Sequence, residues 1–489
     1  MYHSWLIAAV IALAFLIRLW LLRSAPLIET DGVQYVWIAQ RFQQSGSPFD
    51  PLFHPFYPIC IAALQPFVGN YELAGRLISA LFGTASLVPA YLLVRTLFNY
   101  PVAFLSLTLL AFHPGLVQSS TAVLSEAAYT FWLVLGVWTG WRGIFTPRPG
   151  SLSVAGLCFG IAYLARPEGA LYLIGLLGLT AWQGIRSKRM RELCSWGGAA
   201  LAGFLLFATP YLLYLRRIQG RWTLSGKVMH NLIQDMGTTA VVAQSDLGFL
   251  LHNGIATLRR IIENLFLFEK YALPELFPGL LALLLLPGLL ASPRRPEWFA
   301  RQGLLLGAAL PPLVTLIFHV ESRVFLPVLP FLLPFAAGGL LVLLEWIRPH
   351  RFARSLSIGL VVIVLSSLSP FILRPFLRPD PAVSLYHQAS RWVRSTQPQD
   401  VIIMDRKPFV AFYSGHRFAP LPRVSPDELA KTADRAKAQI VILDSSALAD
   451  RPELFPLLYT QPPTGLEILR DFETGPAGRL RLLKVRDHG

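Results

Sequence analysis

Two carboxylates follow the first apolar run of the sequence. In the stretch LIETDGVQYVWIAQRF, which begins at Leu27, Glu29 and Asp31 lie just beyond a hydrophobic run over residues 4–23. Charged groups are costly in lipid and by default indicate function, so the chemistry open to Asp31 depends on which other groups reach the same side of the membrane. The structural alternative is a helix cap, because Asp31 with Gln34 three residues later is close to a capping box.

Further ionisable residues stand beside later apolar runs. Glu126 lies near the start of one run, Arg166 and Glu168 flank a proline where two runs meet, and Glu321 and Arg323 precede a proline-rich run. Each of them also has a structural alternative. The helix dipole favours a carboxylate at the start of a helix, which would explain Glu126, and the two Arg–Glu combinations fit local ion pairs.

The composition indicates an integral membrane protein whose helices must position these groups. Of the 489 residues, 54% are hydrophobic and 15% are charged, whereas soluble domains have about 25% charged residues. The net charge of +15 could indicate nucleic-acid binding, but most basic residues lie in short loops between apolar runs, where they report membrane topology. No nucleic-acid partner is therefore expected. The three cysteines form neither a disulfide framework nor a zinc signature.

Apolar runs that are long enough to cross a bilayer predict about eleven spans. They lie near residues 4–23, 73–97, 101–117, 122–141, 152–165, 168–185, 194–216, 275–292, 302–319, 324–346 and 356–374. The first run has no basic n-region and no clear cleavage site, so we expect an uncleaved span. With the N-terminus in the cytoplasm the basic loops fall inside, and the odd number of spans places the C-terminus outside.

Two long connections then fall on the outer face, at residues 24–72 and 217–274. Together with the shorter outer turns, they carry every strong ionisable candidate near a membrane boundary. The first connection is expected to hold interfacial helices. The prolines of its FHPFYP segment are expected to keep His54 and Tyr57 in a stiff, extended conformation.

The tail of the chain predicts a small α/β domain over residues 379–489, outside the cytoplasm. Strand-like runs alternate there with helical patterns. The strands are predicted at 401–404, 440–443 and 480–485, and the helices at 381–395 and 426–438. The predicted fold class is mainly α, with a polytopic membrane helix bundle over 1–378 followed by this domain, which is expected to serve packing or acceptor docking without chemistry of its own.

Five short motifs occur in order and on one predicted side of the membrane. They are D-G-x-x-Y at 31–35, H-P-x-Y-P at 54–58, S-E-x-x-Y at 125–129, L-A-R-P-E-G at 164–169 and E-S-R-V-F-L-P-x-L-P at 321–330. This combination resembles the C-type membrane glycosyltransferases, in the branch of the protein O-mannosyltransferases and the bacterial aminoarabinose transferases of lipid A. Many members have Asp-Glu where this chain has Asp31-Gly32, so a divalent metal stays open and no metal ligands are assigned.

The resemblance implies inverting transfer of a sugar from a polyprenyl-phosphate-linked donor to an acceptor hydroxyl on the extracytoplasmic face. The acceptor is a lipid, a glycan or a protein. Such transfer needs a base for the hydroxyl proton and cations for the leaving phosphate. At the matching positions Asp31 is the predicted base, Glu126 is predicted to orient the acceptor or assist a metal, and Arg323 is the preferred phosphate ligand.

Six further residues are predicted to bind substrate or phosphate, namely Arg166, His54, Tyr57, Glu168, Glu321 and Lys227. A packed loop is the alternative for His54, and a solvated loop is the alternative for Lys227. Membrane lipid is the expected surrounding partner. The predicted location is a bacterial inner membrane, with the N-terminus in the cytoplasm and the C-terminal domain in the periplasm or outside the cell.

Two functions from other classes stay open. A multi-span transporter or lipid flippase also explains charge within a membrane protein, but it predicts ionisable groups near the bilayer midplane. Many transporters also contain internal repeats, and the sequence shows no convincing one. The other alternative is a non-catalytic assembly factor, because a fold does not guarantee an activity.

Overall fold

The computed structural model describes residues 2–24, 27–145, 149–227, 253–290, 296–318, 320–349, 353–377, 381–445, 451–474 and 478–486, and most of them are helical. The chain divides into two compact units. The first contains Met1–Arg23 and Tyr35–Ile372, and the second contains Ser24–Gln34 and Leu373–Gly489. The predicted domains, 1–378 and 379–489, stay predictions, and they would not join Ser24–Gln34 to the tail.

Helices account for most of the described residues before the tail. They are α1 (Tyr2–Leu21), α2 (Thr30–Ser45), α3 (Phe56–Val68), α4 (Tyr71–Ala85), α5 (Leu87–Leu97), α6 (Tyr100–Ala111), α7 (Pro114–Ser119), α8 (Glu126–Phe145), α9 (Pro149–Ala165), α10 (Gly169–Arg186), α11 (Met190–Gln219), α12 (Gly254–Leu267), α13 (Leu273–Leu276), α14 (Leu281–Leu290), α15 (Pro296–Ala309), α16 (Ser322–Phe325), α17 (Leu329–Ile347) and α18 (Ala353–Leu377). Short 3₁₀ and π segments connect several of them. Residues 228–252 of the second predicted long connection (217–274) lie outside the described residues.

Four segments within the described ranges are long and apolar enough to cross a membrane. They are Ser4–Leu21, Tyr71–Leu97, Met190–Gln219 and Ser322–Ile347. A fifth would be the helix pair Gly254–Leu276 and Leu281–Leu290, which is bent by 97°. The other apolar helices that meet this composition are shorter, since turns and prolines divide the apolar runs. The membrane class is confirmed, and the count of about eleven spans stays a prediction.

Close helix packing fixes the turn between α9 and α10, which carries two predicted site residues. Gly156 of α9 lies against α11, where an added Cβ would stand 1.9 Å from the carbonyl oxygen of Ala200. Small residues permit such close backbone approach between membrane helices. Gly169 begins α10 under a similar constraint, because its Cβ would stand 2.4 Å from the amide nitrogen of Tyr163. The glycine of the L-A-R-P-E-G motif is therefore required by packing.

The extended conformation predicted for the FHPFYP segment is wrong at its second half. Helix α3 begins at Phe56 and includes Tyr57 and Pro58. Proline is tolerated there because the first turn of a helix has no intrahelical partner for the N–H that proline lacks. Of the two residues predicted to be extended, only His54 lies in the connecting loop before the helix.

The helix cap that was the structural alternative for Asp31 is not formed. Helix α2 begins at Thr30, and the amide of Val33 donates to the Glu29 carbonyl at 3.0 Å. The helical hydrogen bonds thus start from Glu29, and Asp31 lies inside the first turn. A carboxylate in that turn is stabilised by the helix dipole.

The tail forms an α/β fold around a five-stranded sheet. Its elements are α19 (Pro381–Thr396), β1 (Ile402–Asp405), α20 (Phe409–Ser414), β2 (Arg417–Pro420), α21 (Pro426–Arg435), β3 (Ile440–Asp444), β4 (Leu466–Thr474) and β5 (Gly478–Val485). The strand order is β2-β1-β3-β5-β4; β1 pairs in parallel with β2 and β3, and β5 runs antiparallel to β3 and β4. The predicted strands and helices are present. The sequence pattern does not predict β2, β4 or α20, because these elements are short or carry many charged residues.

Candidate active site

A buried ion-pair cluster joins three of the predicted site residues. Glu126 is the first residue of α8, and Arg166 and Glu168 lie in the turn between α9 and α10. Arg166 donates from Nη1 to Glu126 Oε1 at 2.9 Å and from Nη2 to Glu168 Oε1 at 3.2 Å. The side chains of Glu126 and Glu168 are only 3% and 8% exposed. One guanidinium therefore neutralises two carboxylates that are removed from water.

These ion pairs keep the groups of the turn charged. Burial alone would lower the pKa of Arg166, but the charges of Glu168 and Glu126 outweigh burial and hold this pKa above its ordinary value. Burial alone would raise the pKa of Glu168, but the charge and hydrogen bond of Arg166 lower it instead. Buried charges persist only when they are paired in this way. The ion pair that the sequence offered as an alternative for Arg166 is thus present.

Arg323 lies at the edge of the cluster. It belongs to the short helix α16, its Nε donates to Glu321, and its Nη1 stands 3.8 Å from Glu126 Oε1. Its side chain is 31% exposed, about twice the 15% of Arg166. Arg323 is therefore the more accessible of the two cations, and its guanidinium is better placed to meet an anionic ligand.

His54 is a neutral imidazole with a defined tautomer. Its Nδ1 donates to the Tyr163 carbonyl at 2.6 Å, and a carbonyl can only accept. Burial lowers the pKa of His54 to about 4, so the other nitrogen, Nε2, carries a lone pair at neutral pH. Within the described residues, Nε2 is buried and has no hydrogen-bond partner. This nitrogen can accept a hydrogen bond from a hydroxyl, and it is unsuited to an ionised phosphate oxygen.

The loop around Lys227 packs against the loop that carries His54. Lys227 Nζ lies 4.0 Å from the centroid of the Phe53 ring. Gly226 permits the approach, since an added Cβ would stand 2.1 Å from the carbonyl oxygen of Pro51. The charge of Lys227 also contributes to the lowered pKa of His54. The structure thus brings the predicted Lys227 close to His54.

Tyr57 is packed inside the first unit, and its hydroxyl contacts residues of α4. It is fully buried, and its hydroxyl donates to the Gly75 carbonyl at 2.8 Å and bonds Ser79 Oγ at 2.7 Å. Ser79 Oγ also lies 3.2 Å from the carbonyl oxygen of Leu124, two residues before Glu126. These contacts favour a positioning role for Tyr57 over the predicted substrate contact.

Sequence reasoning missed two tyrosines of the motifs. The hydroxyls of Tyr35 and Ser125 form a hydrogen bond of 3.1 Å, which holds the residue directly before Glu126. The guanidinium carbon of Arg166 lies 5.9 Å from the ring centroid of Tyr129. In the part of the chain that the structure describes, Tyr129 Oη and Glu126 Oε2 are buried without a hydrogen-bond partner. The available signal was their place in the D-G-x-x-Y and S-E-x-x-Y motifs.

Asp31 belongs to the second compact unit, where it is partly buried in the first turn of α2. Its role as the base stays a prediction. No group of three or more His, Cys, Asp or Glu side chains within the described ranges is placed to hold a metal ion. The structure therefore assigns no metal ligands within these ranges.

The first unit also contains an apolar cavity of about 440 Å³. It is bounded mainly by α8, α9, α10 and α15, and Tyr172 of α10 is among its walls. The hydroxyl of Tyr172 donates to the Ala308 carbonyl at 2.7 Å. The remaining walls are almost wholly aliphatic or aromatic, which suits a hydrocarbon ligand.

Comparison with known proteins finds similar sequences. Residues 51–214 match the family described as dolichyl-phosphate-mannose-protein mannosyltransferase. The chain is 30% identical over 199 residues to the undecaprenyl phosphate-alpha-4-amino-4-deoxy-L-arabinose arabinosyl transferases of Pseudomonas aeruginosa and Pseudomonas paraeruginosa. The match covers 37% of this chain and 35% of each relative, so the chain spans about a third of the length of the relatives that it matches.

Two solved structures share the fold. The crystal structure of ArnT from Cupriavidus metallidurans bound to undecaprenyl phosphate has a TM-score of 0.58 at 13% identity and covers 99% of both chains. The Archaeoglobus fulgidus oligosaccharyltransferase in complex with Zn and sulfate has a TM-score of 0.60 at 15% identity, over 89% of this chain and 68% of that one. Together, the matched family, the relatives and the shared fold confirm the resemblance of this membrane protein to the C-type glycosyltransferase superfamily.

Proposed function

We propose that this chain is a polyprenyl-phosphate-sugar-dependent glycosyltransferase of a bacterial inner membrane. It moves a hexosyl or pentosyl group to an acceptor hydroxyl of a lipid, glycan or protein on the extracytoplasmic face, with inversion at the anomeric carbon. The observation that carries the proposal is the buried Glu126–Arg166–Glu168 cluster with Arg323 beside it. The arabinosyl transferase relatives support the polyprenyl-phosphate donor.

Asp31 is the proposed base. Its carboxylate takes the proton of the acceptor hydroxyl while the hydroxyl oxygen forms a bond to the anomeric carbon. The bond between that carbon and the phosphate oxygen breaks at the same time, and the carrier phosphate leaves with the electron pair. In support, Asp31 precedes Tyr35 by one turn of α2, and residues four apart share a helix face.

Arg323 is the proposed ligand of the leaving phosphate. Its partial exposure leaves it accessible, whereas Arg166 is committed to two buried carboxylates. A guanidinium can hold two phosphate oxygens through parallel hydrogen bonds. Lys227 adds positive charge near His54. We therefore reassign Arg166 and Glu168 from substrate contact to support of Glu126.

Glu126 and His54 are the proposed contacts to hydroxyl groups. Glu126 Oε2 and His54 Nε2 are both acceptor atoms, and each is buried without a partner among the described residues. Buried acceptors without partners are costly and therefore favour a ligand that donates. Sugar and acceptor hydroxyls are such donors. The apolar cavity beside α8 and α10 would then receive part of the hydrocarbon tail of the carrier.

The position of the charged groups favours transfer over transport. Glu126 begins α8, Arg166 and Glu168 lie between two helices, and Arg323 lies at the start of the segment Ser322–Ile347. A transporter requires ionisable groups near the middle of its spans. Groups at helix ends fit an active site at the membrane boundary.

The test is a transfer assay on the full chain, purified in detergent or nanodiscs, with synthetic polyprenyl-phosphate sugars and a panel of hydroxyl acceptors. Asp31→Asn keeps the size of the side chain and removes the base, so we expect transfer to fall by roughly 1,000-fold. Glu29→Gln is the matched control, because it neutralises the neighbouring acid two residues earlier, and it should keep wild-type activity.

Two outcomes would count against the proposal. Full activity of Asp31→Asn would remove the assignment of the base. A wild-type chain that carries the lipid-linked sugar across proteoliposomes without transferring it would replace the enzyme by a flippase.

A further inference from the structure

The second compact unit contains the segment that precedes the proposed base. Residues Ser24–Gln34 group by contact with Leu373–Gly489 and not with the helix bundle. Asp31 lies within this segment. The α/β domain is thus in contact with the part of the chain from which the proposed catalytic carboxylate projects.

One hydrogen bond ties this segment to the domain. The amide of Ile28 donates to Tyr413 Oη at 3.0 Å, and the side chain of Ile28 is fully buried. Ile28 lies ahead of the first turn of α2, so its amide has no helical partner. A buried N–H without an acceptor is costly, and the tyrosine hydroxyl satisfies it.

Tyr413 itself is held firmly by α19. It belongs to α20, and its own carbonyl accepts a hydrogen bond from Arg394 Nη2. Its ring packs against His387, with ring centroids 4.7 Å apart, and against Phe412, at 5.1 Å. The hydroxyl is therefore presented from a fixed ring rather than from a mobile surface side chain.

We infer that Tyr413 of the α/β domain is a positioning residue for Asp31. The inference rests on the proposed function, because it assigns Asp31 the role of base. Tyr413 holds the backbone at Ile28, three residues before Asp31. Helix α2 begins two residues after Ile28, and its first turn carries the carboxylate of Asp31. A general base acts only at hydrogen-bond distance from the proton that it takes, so a small shift of this backbone reduces its efficiency.

The test is Tyr413→Phe in the full-length chain, which keeps the ring and removes only the acceptor oxygen. We expect kcat of sugar transfer to fall roughly 10-fold, with KM for the donor within about 2-fold of the wild type, because positioning affects the reacting geometry more than donor binding. Amide hydrogen exchange in peptides that cover residues 27–34 should become roughly 5-fold faster. The melting temperature is recorded to confirm that the variant is folded.

Tyr459→Phe is the matched control. Tyr459 belongs to the same domain and is 55% exposed, and its ring lies 5.3 Å from the guanidinium carbon of Arg479, a contact that phenylalanine preserves. This variant should match the wild type in kcat and in exchange. Equal behaviour of the two variants would overturn the inference, as would faster exchange in Tyr413→Phe with unchanged kcat.

The exchange measurement separates this inference from the proposed function. If the wild type transfers no sugar from any polyprenyl-phosphate donor, the proposed function fails and Tyr413 loses its catalytic meaning. In that case, faster exchange in Tyr413→Phe but not in Tyr459→Phe would still establish that Tyr413 holds the segment Ser24–Gln34 through Ile28. Unchanged exchange in an active enzyme would instead remove the anchor and leave the proposed function intact.

Discussion

Buried carboxylates occur in both compact units, but their neighbours carry opposite charge in the first and like charge in the second. In the first unit, Glu126 and Glu168 share the guanidinium of Arg166. In the second unit, Asp405 and Asp444 end the adjacent parallel strands β1 and β3 and are 1% and 4% exposed. Burial raises the pKa of Asp405 well above its ordinary range, and the charge of Asp444 raises it further.

The two sites differ in the charge that lies beside each buried acid. The cluster around Arg166 pairs its buried charges, and such pairs contribute little to stability for their desolvation cost, which favours a functional reason for keeping them. The raised pKa of Asp405 instead favours its protonated form, while Asp444 accepts a hydrogen bond from the hydroxyl of Tyr386. These two acids are the last residues of two neighbouring strands. A buried acid is therefore not by itself a sign of catalysis.

The largest change in stability is expected when Arg166, the cation shared by the two carboxylates, is replaced. Arg166→Met leaves two buried carboxylates without their counter-ion, and we expect a loss of about 3–5 kcal/mol of stability together with loss of transfer activity. Thermal unfolding of the full chain in detergent measures the first effect. Arg166→Lys is the control; it keeps the charge but not the two-sided geometry, so it should lose less stability. A Met variant as stable as the wild type would contradict the ion-pair account.

A second prediction separates the two carboxylates of the cluster. Glu126 has one oxygen on Arg166 and one buried oxygen without a partner among the described residues, whereas both oxygens of Glu168 contact Arg166. Glu126→Gln should therefore lower kcat by roughly 100-fold with modest destabilisation. Glu168→Gln should chiefly lower the melting temperature. Transfer kinetics and thermal unfolding of both variants test this difference. A larger loss of kcat in Glu168→Gln than in Glu126→Gln would assign the substrate contact to Glu168.

The smallest effect is expected at the acid pair of the α/β domain. The pKa of Asp405 is higher in the folded chain than its unfolded value of about 3.9. At a pH between the unfolded and the folded pKa, the folded chain therefore binds a proton at Asp405 that the unfolded chain does not bind. Its stabilising contribution is present below about pH 4 and is lost as the pH rises through the folded pKa. Asp405→Asn should thus be more stable than the wild type by roughly 1 kcal/mol at pH 8, and transfer activity should be unchanged.

Asp471 offers a control of opposite sign in the same domain. Burial would raise its pKa, but hydrogen bonds from Arg481 and Arg479 lower it. Its contribution is therefore present at neutral pH and is lost as the pH falls. Thermal unfolding between pH 4 and pH 8 should show Asp471→Asn losing stability at the pH where Asp405→Asn gains it. Parallel pH profiles for the two variants would contradict the assignments.

Sequence reasoning succeeded where the pattern is local. The apolar runs predicted a membrane protein, and the alternating runs of the tail predicted three strands and two helices that are present. The five motifs pointed to a superfamily that the comparisons confirm. It failed at Tyr57, because the first turn of a helix tolerates a proline, and at the alternative cap of α2, because the helix begins at Thr30, before Asp31. The roles of Asp31, Glu126 and Arg323 stay predictions.

Composition and periodicity, which are properties of neighbouring residues, indicate a membrane protein with ionisable residues at the ends of its apolar runs. Which of these residues contact each other follows from the packing of the folded chain. Arg166 pairs with Glu126 across 40 residues, His54 donates a hydrogen bond to a carbonyl 109 residues away, and the amide of Ile28 donates to a tyrosine 385 residues later. Contacts over such separations depend on how helices and strands pack, and no local pattern encodes them.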